Sequence, residues 1–241
     1  MDLFHTWLVE KYIAHRGLHD NNSAENSLSA FKNAIENDYA IELDVHQISD
    51  GTLVVFHDNT LSRMTGKDGY LQNLTKKDLK NYKLGGTEDC IPTLDEVLKL
   101  VAGRVPLLIE VKNETKIGSL EQKLYDTLKK YNGEYAIQSF NPYVLIWFKE
   151  NAPEVIRGQL ASKFRHIKLS WIKKYVLKRF KLNRQSQPHF ISYNADDLPS
   201  RFIRKYKNLP LLAWTVRSQN EYLNVIKYSD NIIFEGFEPK I

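Results

Sequence analysis

The amino-acid sequence predicts an α/β fold, a (β/α)8 or TIM barrel with a small insertion after the second strand and its hairpin. Three observations lead to this fold class. The chain has 241 residues, close to the roughly 250 that such a barrel uses. Short apolar runs alternate with segments of helical period, and the unit of strand and helix recurs eight times. We therefore expect residues 1–241 to form a single barrel domain.

The predicted strands are short runs of mainly apolar residues. Both faces of a strand are buried in a parallel barrel, so its strands read as nearly continuous apolar runs. The eight runs are YIAHRG (12–17), AIELDV (40–45), PLLIEVK (106–112), YAIQSF (135–140), VIRGQL (155–160), HFISYN (189–194), PLLAWTV (210–216) and NIIFEGF (231–237).

Helix candidates lie between these strands. Two of them begin with a capping-box pattern, in which Ser or Thr precedes Glu by three residues. Thr93 with Glu96 is one such pair, and Ser218 with Glu221 is the other. The main helix candidates are residues 27–38, 93–103, 119–131 and 218–230.

One stretch departs from the repeat. In HQISDGTLVVFHD, an Asp50-Gly51 turn lies between two extended segments, which is a hairpin signal. If these two residues form the whole turn, Asp44 lies opposite His57 with both side chains on the same face. The polar residues that follow, 58–92, are interpreted as an inserted lid or small subdomain.

Composition indicates a protein of the reducing interior of the cell. Cys90 is the only cysteine, so no internal disulfide can form. No window approaches about 18 consecutive apolar residues, the length that would span a membrane. The N-terminal residues lack the basic and continuous apolar regions of a signal peptide. We therefore expect a cytoplasmic protein without a transmembrane segment.

Charged side chains interrupt two of the apolar strands. Glu42 and Asp44 project to one face of their strand, and Glu110 and Lys112 share a face of the next. Uncompensated buried charges each cost several kcal/mol, so a cation or a ligand has to complete the arrangement. Three carboxylates without Cys or clustered His suit one Mg2+ or Ca2+. The alternative is a set of internal ion pairs, Glu110 with Lys112 or Glu42 with Arg16.

Two histidines lie at predicted strand ends, where barrels carry their active sites. His15 and Arg16 end the first strand, and His57 ends the returning arm of the hairpin. A lone histidine there is more often structural, but two that converge on the same acids indicate catalysis. Phosphodiester cleavage needs a base, an acid and positive charge around the phosphoryl oxygens. Histidines, a metal ion, Arg16 and Lys112 supply each of these.

These residues lie within motifs of a known family. IAHRGLHDNNSAENSLSAFKNAIENDYAIELDVHQISDGTLVVFHD, residues 13–58, resembles the opening signature of the glycerophosphodiester phosphodiesterases, with its HRG, E-N-S/T, E-x-D and H-D motifs. LLIEVK, AIQSF and LLAWTV resemble later strands of that family, in the same order. The resemblance covers nearly the whole chain.

The resemblance implies a barrel that hydrolyses glycerophosphodiesters to sn-glycerol 3-phosphate and an alcohol, using one divalent cation. It also implies that residues 58–92 are the characteristic insertion of the family. Spacing alone would make Trp214 a core residue, and only the W-T-V match assigns it to the substrate pocket. Matched by position, Glu42, Asp44 and Glu110 resemble the metal ligands, His15 and His57 the acid/base pair without assignment of roles, and Arg16, Lys112 and Trp214 the substrate contacts.

The chain departs from the family pattern in two places. AENS at residues 24–27 stands where the family usually has P-E-N-T. Glu25 and Asn26 are retained and can still orient neighbouring groups. NIIFEGFEP replaces G-I-I-T-D-x-P at the closing strand, so Phe234 and Glu235 stand where a Thr-Asp pair is common. Substrate contacts from that strand are therefore in question.

A basic segment, residues 163–184, holds Lys and Arg throughout and no acid. One interpretation is an outer barrel helix that packs through an apolar face. The other is peripheral contact with an anionic membrane, with Trp171 and Tyr175 at the interface. The apolar residues at helical spacing are Leu169, Ile172, Val176 and Phe180.

Several alternatives remain open from the sequence. Membrane contact would make lysophospholipids substrates, through lysophospholipase D-type cleavage of the same bond. A barrel that binds phosphodiesters without catalysis would be expected to lack a histidine or a metal ligand. A phosphatidylinositol-type phospholipase is the rival enzyme, and nucleic acid is not expected as a partner. The alcohol and the attacking oxygen, from water or from a neighbouring substrate hydroxyl, are not assigned.

Overall fold

The computed structural model describes residues 2–113, 116–165 and 170–240. Packing groups these residues into two compact units. One unit contains the residues up to Ile13 and those from Ala136 onward, and the other contains Ala14–Tyr135. The assignment of the whole chain to one domain stays a prediction.

The strands of the described residues follow the predicted order and confirm the fold class. The strands are β1 (Ile13–Ala14), β2 (Ala40–Gln47), β3 (Leu53–Val55), β4 (Leu107–Val111), β5 (Tyr135–Ser139), β6 (Arg157–Ala161), β7 (Phe190–Asn194), β8 (Leu211–Val216) and β9 (Asn231–Phe234). Hydrogen bonds arrange them as β1-β9-β8-β7-β6-β5-β4-β2-β3, and β1 also pairs with β2. Eight strands thus form the parallel barrel, and β3 is an additional strand antiparallel to β2.

Helices connect most of these strands, and the helices over Leu28–Glu36, Leu94–Val101, Ser119–Leu128 and Gln219–Val225 correspond to the four predicted candidates. The α-helices are α1 (Trp7–Glu10), α2 (Leu28–Glu36), α3 (Ser62–Thr65), α4 (Leu94–Val101), α5 (Ser119–Leu128), α6 (Pro142–Asn151), α7 (Trp171–Lys178), α8 (Asn183–Ser186) and α9 (Gln219–Val225). Short 3-10 helices cover Leu3–His5, Leu71–Asn73, Leu79–Asn81, Ala195–Asp197 and Arg204–Tyr206.

The helix starts depend on side-chain caps. Thr93 and Glu96 form the full capping box predicted for α4. Ser218 caps α9 by accepting a hydrogen bond from the backbone N–H of Glu221. The Glu221 carboxylate accepts instead from the backbone N–H of Arg217, at 2.7 Å. The predicted box at α9 is therefore only half present.

The first strand is shorter than predicted. Arg16 and Gly17 have φ angles of +56° and +82°, a left-handed conformation that cannot continue an extended strand. The Gly17 N–H donates to the Ala14 carbonyl at 3.3 Å, so the H-R-G motif forms a turn. His15 and Arg16 consequently lie just after β1.

The hairpin register differs from the prediction by one residue. His46 pairs with Val54 and Gln47 with Leu53, and the Phe56 N–H donates to the Asp44 carbonyl at 3.0 Å. The loop has three residues rather than two. A turn begins at Ile48, whose carbonyl accepts a hydrogen bond from the Gly51 N–H at 2.8 Å. Gly51 itself is left-handed, at φ +81°, which is typical of three-residue hairpin loops. The prediction that Asp44 pairs with His57 is therefore wrong, since Phe56 occupies that position.

The predicted insertion, residues 58–92, has its own apolar packing. Antiparallel bridges join Thr60 to Tyr70 and Lys83 to Cys90. Its interior also includes residues of the preceding hairpin and of the loop after β1, so the insertion is anchored to the unit Ala14–Tyr135. The buried cluster consists of Ala24, Ile48, Val54, Phe56, Leu61, Leu71, Leu74, Leu79, Leu84 and Ile91.

The basic segment does not pack as an outer helix would. None of the eight residues of α7 is buried, and Ile172 is exposed. Phe180, just after the helix, is the residue that reaches a buried cluster, with Ala161, Ile191 and Tyr193. Leu169 lies outside the described residues. The interpretation as a helix packed through its apolar face is therefore wrong at Ile172.

Across the described ranges, every helix is too short or too polar to cross a membrane.

Close approach of two strands makes Gly158 a sensitive position. A Cβ built there would lie 2.1 Å from the ring of Phe190, which is fully buried on the neighbouring strand. Gly158→Ala should lower the free energy of unfolding by about 2–3 kcal/mol, since the packed ring cannot move aside. Urea denaturation measures this.

Gly66→Ala is the control. Gly66 has φ +66° and no atom near its added Cβ, so only the left-handed conformation is penalised, by about 1 kcal/mol. An equal loss in both variants would contradict the packing argument.

Candidate metal and phosphate site

Three carboxylates converge inside the unit Ala14–Tyr135. Parallel pairing of β2 with β4 sets Asp44 beside Glu110, and Glu42 shares a strand face with Asp44. One oxygen from each of the three lies within 4.8 Å of the others, and none of the three residues is more than 7% exposed. The strand spacing read from the sequence therefore produces the expected acidic cluster.

Two cations lie against this cluster. Lys112 Nζ is 2.7 Å from Glu110 Oε1 and 3.0 Å from Asp44 Oδ1. Arg16 Nε is 3.3 Å from Asp44 Oδ2. The ion pair between Glu110 and Lys112 that the sequence suggests is thus present. Glu42 accepts a hydrogen bond from the backbone N–H of Arg16, at 3.1 Å, and the charge of Arg16 also acts on this carboxyl group.

The loop after β1 holds Arg16 through Asn26. The Asn26 N–H donates to the Arg16 carbonyl at 2.9 Å, and both residues have φ +56°. The Asn26 side chain then donates to Asp44 Oδ2 at 2.8 Å and accepts from the Asp44 N–H at 3.3 Å. Two left-handed residues thereby turn a backbone N–H and an amide toward the carboxylates.

Burial and mutual repulsion change the acidities of the three carboxyl groups. Burial, followed by the charges of Asp44 and Glu110, holds the pKa of Glu42 well above its usual range. Burial also raises the pKa of Glu110, to about 6. Burial by itself would raise the pKa of Asp44 as well, but the positive charges of Lys112 and Arg16 outweigh burial and lower that pKa. Asp44 is therefore the ionised centre of the cluster.

A network of ion pairs connects His57 to Arg16. His57 Nδ1 is 2.6 Å from Asp58 Oδ1, and Arg63 Nε donates to Asp58 Oδ2 at 2.6 Å. Arg63 also donates to both oxygens of Glu25, at 2.6 and 2.9 Å. Glu25 accepts in turn from Arg16 Nη1 at 2.7 Å. One arginine from the insertion thus orients the carboxylates next to His57 and to half-buried Arg16.

These ion pairs favour one tautomer of His57. Burial opposes ionisation of Asp58, but Arg63 and His57 outweigh it, and the pKa of Asp58 lies below its usual range. An ionised Asp58 accepts a hydrogen bond from Nδ1–H, which leaves the lone pair of the neutral ring on Nε2. Burial lowers the pKa of His57, partly offset by the charge of Asp44.

The charged groups in this site do not balance. Its ion pairs and hydrogen bonds connect five carboxylates with three permanent cations. Among the described residues, the fully ionised set therefore carries an excess of two negative charges, the charge that a divalent cation would balance. The carboxylates are Glu25, Glu42, Asp44, Asp58 and Glu110, and the cations are Arg16, Arg63 and Lys112.

A cavity of about 590 Å³ opens beside the cluster. His57 and Lys112 line it, and Tyr70 and Gln72 contribute walls from the insertion. His46 lines it as well, and its Nε2 lies 3.2 Å from the His57 carbonyl oxygen. The size suits a small-molecule ligand. The insertion therefore shapes the space next to His57.

The structure brings six of the eight predicted site residues into one set: Arg16, Glu42, Asp44, His57, Glu110 and Lys112. His15 is half-buried and directly precedes Arg16. Trp214 lies on β8 in the other unit, where its ring meets Phe140 edge to face at 5.5 Å between centroids. The functional roles of all eight stay predictions.

Sequence reasoning missed two members of the site. Asp58 follows His57 directly, and the H-D motif was a signal for its role as partner to the imidazole. Arg63 carried no signal, because it lies in the polar insertion and its partner Glu25 is 38 residues away.

Comparisons with known proteins agree with the motifs. A family model described as the Glycerophosphoryl diester phosphodiesterase family matches residues 15–235. The glycerophosphodiester phosphodiesterase of Caldanaerobacter subterraneus subsp. tengcongensis is 39% identical over 159 residues, which is 61% of this chain and 65% of that protein. That of Bacillus subtilis is 24% identical over 249 residues, covering 93% and 83%. The chain thus spans slightly less than two thirds of the first relative.

Solved structures share the fold. A phosphodiesterase of Oleispira antarctica, solved in complex with the product sn-glycerol-3-phosphate, has a TM-score of 0.80 at 23% identity, covering 95% of this chain and 93% of that one. The glycerophosphodiester phosphodiesterase of Thermotoga maritima has a TM-score of 0.72 at 23% identity, covering 92% and 93%. At these identities, the similarity supports the barrel.

The cluster predicts cation binding that depends on Glu110. Glu110→Gln removes one anionic oxygen donor, so Mg2+ or Ca2+ affinity should fall by at least the roughly 10- to 100-fold that loss of a supporting group costs. Calorimetric titration of the metal-stripped protein measures this. Glu36→Gln is the control, since it removes the same charge from an exposed side chain. Equal affinities in both variants would contradict the site.

Proposed function

The chain belongs to the glycerophosphoryl diester phosphodiesterase family, and on that premise we propose that it hydrolyses glycerophosphodiesters to sn-glycerol 3-phosphate and an alcohol. The observation that carries the proposal is the buried cluster of Glu42, Asp44 and Glu110, held beside Arg16 and Lys112. Negative charge at this depth suits a site that binds a cation and, through it, an anionic substrate.

One divalent cation, Mg2+ or Ca2+, is part of the proposal. Glu42, Asp44 and Glu110 are the residues that would hold it, and their donors are carboxylate oxygens, which hard cations prefer. The excess of two negative charges fits the same ion. When bound, such a cation supplies positive charge for the phosphoryl oxygens as a Lewis acid.

Arg16 and Lys112 are proposed to bind the phosphoryl group. Arg16 Nε is buried and, within the described residues, lacks a hydrogen-bond acceptor in good geometry, although Asp44 lies 3.3 Å away. A phosphoryl oxygen is the kind of acceptor that a guanidinium favours. Lys112 lines the cavity as well as the cluster, so its ammonium can reach a ligand there.

His57 and His15 are proposed as the general acid/base pair. His57 lines the cavity, and its Nδ1–H bond to Asp58 leaves Nε2 to take or give a proton. Its place beside Lys112 supports proton transfer at the phosphodiester. His15 is included because it directly precedes Arg16. Trp214 stays a predicted substrate contact, through its W-T-V match.

The insertion, residues 58–92, is proposed as a lid that also shapes the alcohol pocket. Tyr70 and Gln72 line the cavity, and Arg63 connects the insertion to Asp58 and Glu25. Because the pocket lining beyond the cluster comes partly from this segment, the choice of alcohol should depend on it.

A product assay tests the proposed function. Glycerophosphocholine, glycerophosphoethanolamine and a lysophospholipid are each incubated with Mg2+ or Ca2+, and again after chelation. We expect sn-glycerol 3-phosphate from the first two and no product after chelation. Activity that survives chelation would contradict the cation. Turnover of only the lysophospholipid would favour lysophospholipase D-type cleavage, and a trapped cyclic phosphate would indicate attack by the substrate hydroxyl.

Removal of either histidine should slow turnover strongly without unfolding the protein. His57→Ala and His15→Ala should each lower kcat by about 10²- to 10⁴-fold, the usual contribution of a positioned acid or base. Metal affinity and melting temperature should stay near their original values. Steady-state kinetics measure the effect, with His5→Ala as control because His5 is exposed and lies outside these motifs. Near-normal activity in either histidine variant would remove that residue from the mechanism.

Arg63 should affect catalysis through geometry as well as charge. Arg63→Met leaves Asp58 and half-buried Glu25 without a shared cation, so kcat should fall by about 10- to 100-fold while metal affinity changes little. Arg63→Lys keeps the charge but lacks the planar fork, so it should recover only part of the loss. Full recovery in the lysine variant would show that charge alone matters.

A further inference from the structure

Helix α7 carries an apolar surface that faces solvent. Trp171 is 77% exposed, Ile172 56% and Tyr175 45%, and none of the eight residues of the helix is buried. A surface helix of a globular protein usually turns its apolar stripe inward. Here the largest apolar side chains of the helix point outward.

Helical geometry puts these three side chains on one face. Trp171 and Tyr175 are one turn apart, and Ile172 lies beside them. Lys174 and Lys178 border this face on one side, and Arg179 follows Tyr175 by one turn. The Arg179 guanidinium lies over the Tyr175 ring, at 4.7 Å from its centroid. The result is an aromatic and aliphatic stripe with a cationic border.

A second basic segment, residues 201–207, lies next to α7 in the same unit. Lys178 Nζ is 5.1 Å from the ring of Phe202, and Phe180 meets Tyr206 edge to face at 5.3 Å between centroids. RFIRKYK adds four cations to the six of residues 171–184. We call these two segments together the basic surface.

Charge is strongly concentrated on the basic surface. It holds ten of the 34 Lys and Arg residues and none of the 29 acids. The rest of the chain would carry a net charge of −5, against +5 for the whole. Among the described residues, no ion pair to a carboxylate involves any of the ten cations, whereas Lys163 and Arg165 nearby in sequence both pair with Asp197.

We propose that the basic surface docks on an anionic lipid bilayer. Trp171, Ile172 and Tyr175 enter the boundary between headgroups and acyl chains, where amphipathic aromatic rings are favoured. The surrounding Lys and Arg lie at the level of the lipid phosphates, each attracted by the negative surface potential.

The chemistry of the surface favours lipid over other partners. Ile172, beside the two aromatic rings, is stabilised by burial in an apolar layer, but its aliphatic side chain cannot stack on a nucleic-acid base. A second copy of the same surface would bring like charges together. A bilayer supplies both an apolar layer and anionic phosphates, which matches the two parts of the surface.

Vesicle co-sedimentation tests the proposal without any substrate, so its outcome is independent of the proposed hydrolysis. The whole chain is mixed with phosphatidylcholine vesicles, with or without about 30 mol% phosphatidylglycerol. We expect binding only to the anionic vesicles, and weaker binding as salt is raised. Trp171→Ser/Tyr175→Ser and Lys174→Glu/Lys178→Glu should each lower the partition coefficient by about tenfold or more.

Matched controls make the same chemical changes elsewhere. Leu223→Ser/Tyr228→Ser removes two exposed apolar side chains from another part of the same unit, and Lys129→Glu/Lys130→Glu reverses two exposed charges. Both should bind like the unchanged protein, and thermal unfolding verifies that all four variants are folded. Equal binding by α7 variants and controls, binding to an oligonucleotide but not to vesicles, or self-association through the stripe would each overturn the proposal.

Discussion

Burial of three carboxylates together is the constraint on which the site depends. Ionised carboxylates at this depth lose several kcal/mol of hydration each and repel one another. The surrounding structure responds with Lys112 between two of them, Arg16 against Asp44, and the amide of Asn26 on the same carboxylate. These groups stabilise one charge well and leave Glu42 with a raised pKa. A cluster arranged in this way is incomplete as an internal salt bridge and suited to a further cation.

The same constraint explains the strained backbone after β1. Left-handed conformations at Arg16 and Asn26 each cost about 1 kcal/mol or more for residues with a Cβ. They direct the Arg16 N–H at Glu42 and the Asn26 side chain at Asp44, two contacts that an extended strand would not make. Hydrogen bonds to buried charges are stronger than those between neutral groups. The hydrogen bonds that the turn makes to the carboxylates therefore offset its backbone strain.

Sequence patterns predicted what depends on local period and failed where packing decides. Side chains alternate between the two faces of any strand, so the sequence alone predicted that Glu42 and Asp44 share a face of one strand and Glu110 and Lys112 a face of another. It could not fix the hairpin register, since a three-residue loop and a two-residue loop both suit an Asp-Gly pair, and the choice moves Phe56 opposite Asp44. Ile172 illustrates the same limit, because helical spacing predicts a face but not which neighbour, if any, covers it.

Arg63 shows how the insertion and the site depend on each other. The insertion has its own buried leucines, so its packing does not require the charged network. Its one arginine nevertheless neutralises two carboxylates that would otherwise compete for Arg16 and His57. With Glu25 satisfied from the insertion, the Arg16 guanidinium is shared between Glu25 and Asp44 rather than held by either, and one of its buried N–H groups stays available. The insertion therefore does more than cover the site, because its arginine determines how much of the Arg16 charge is left for an anion.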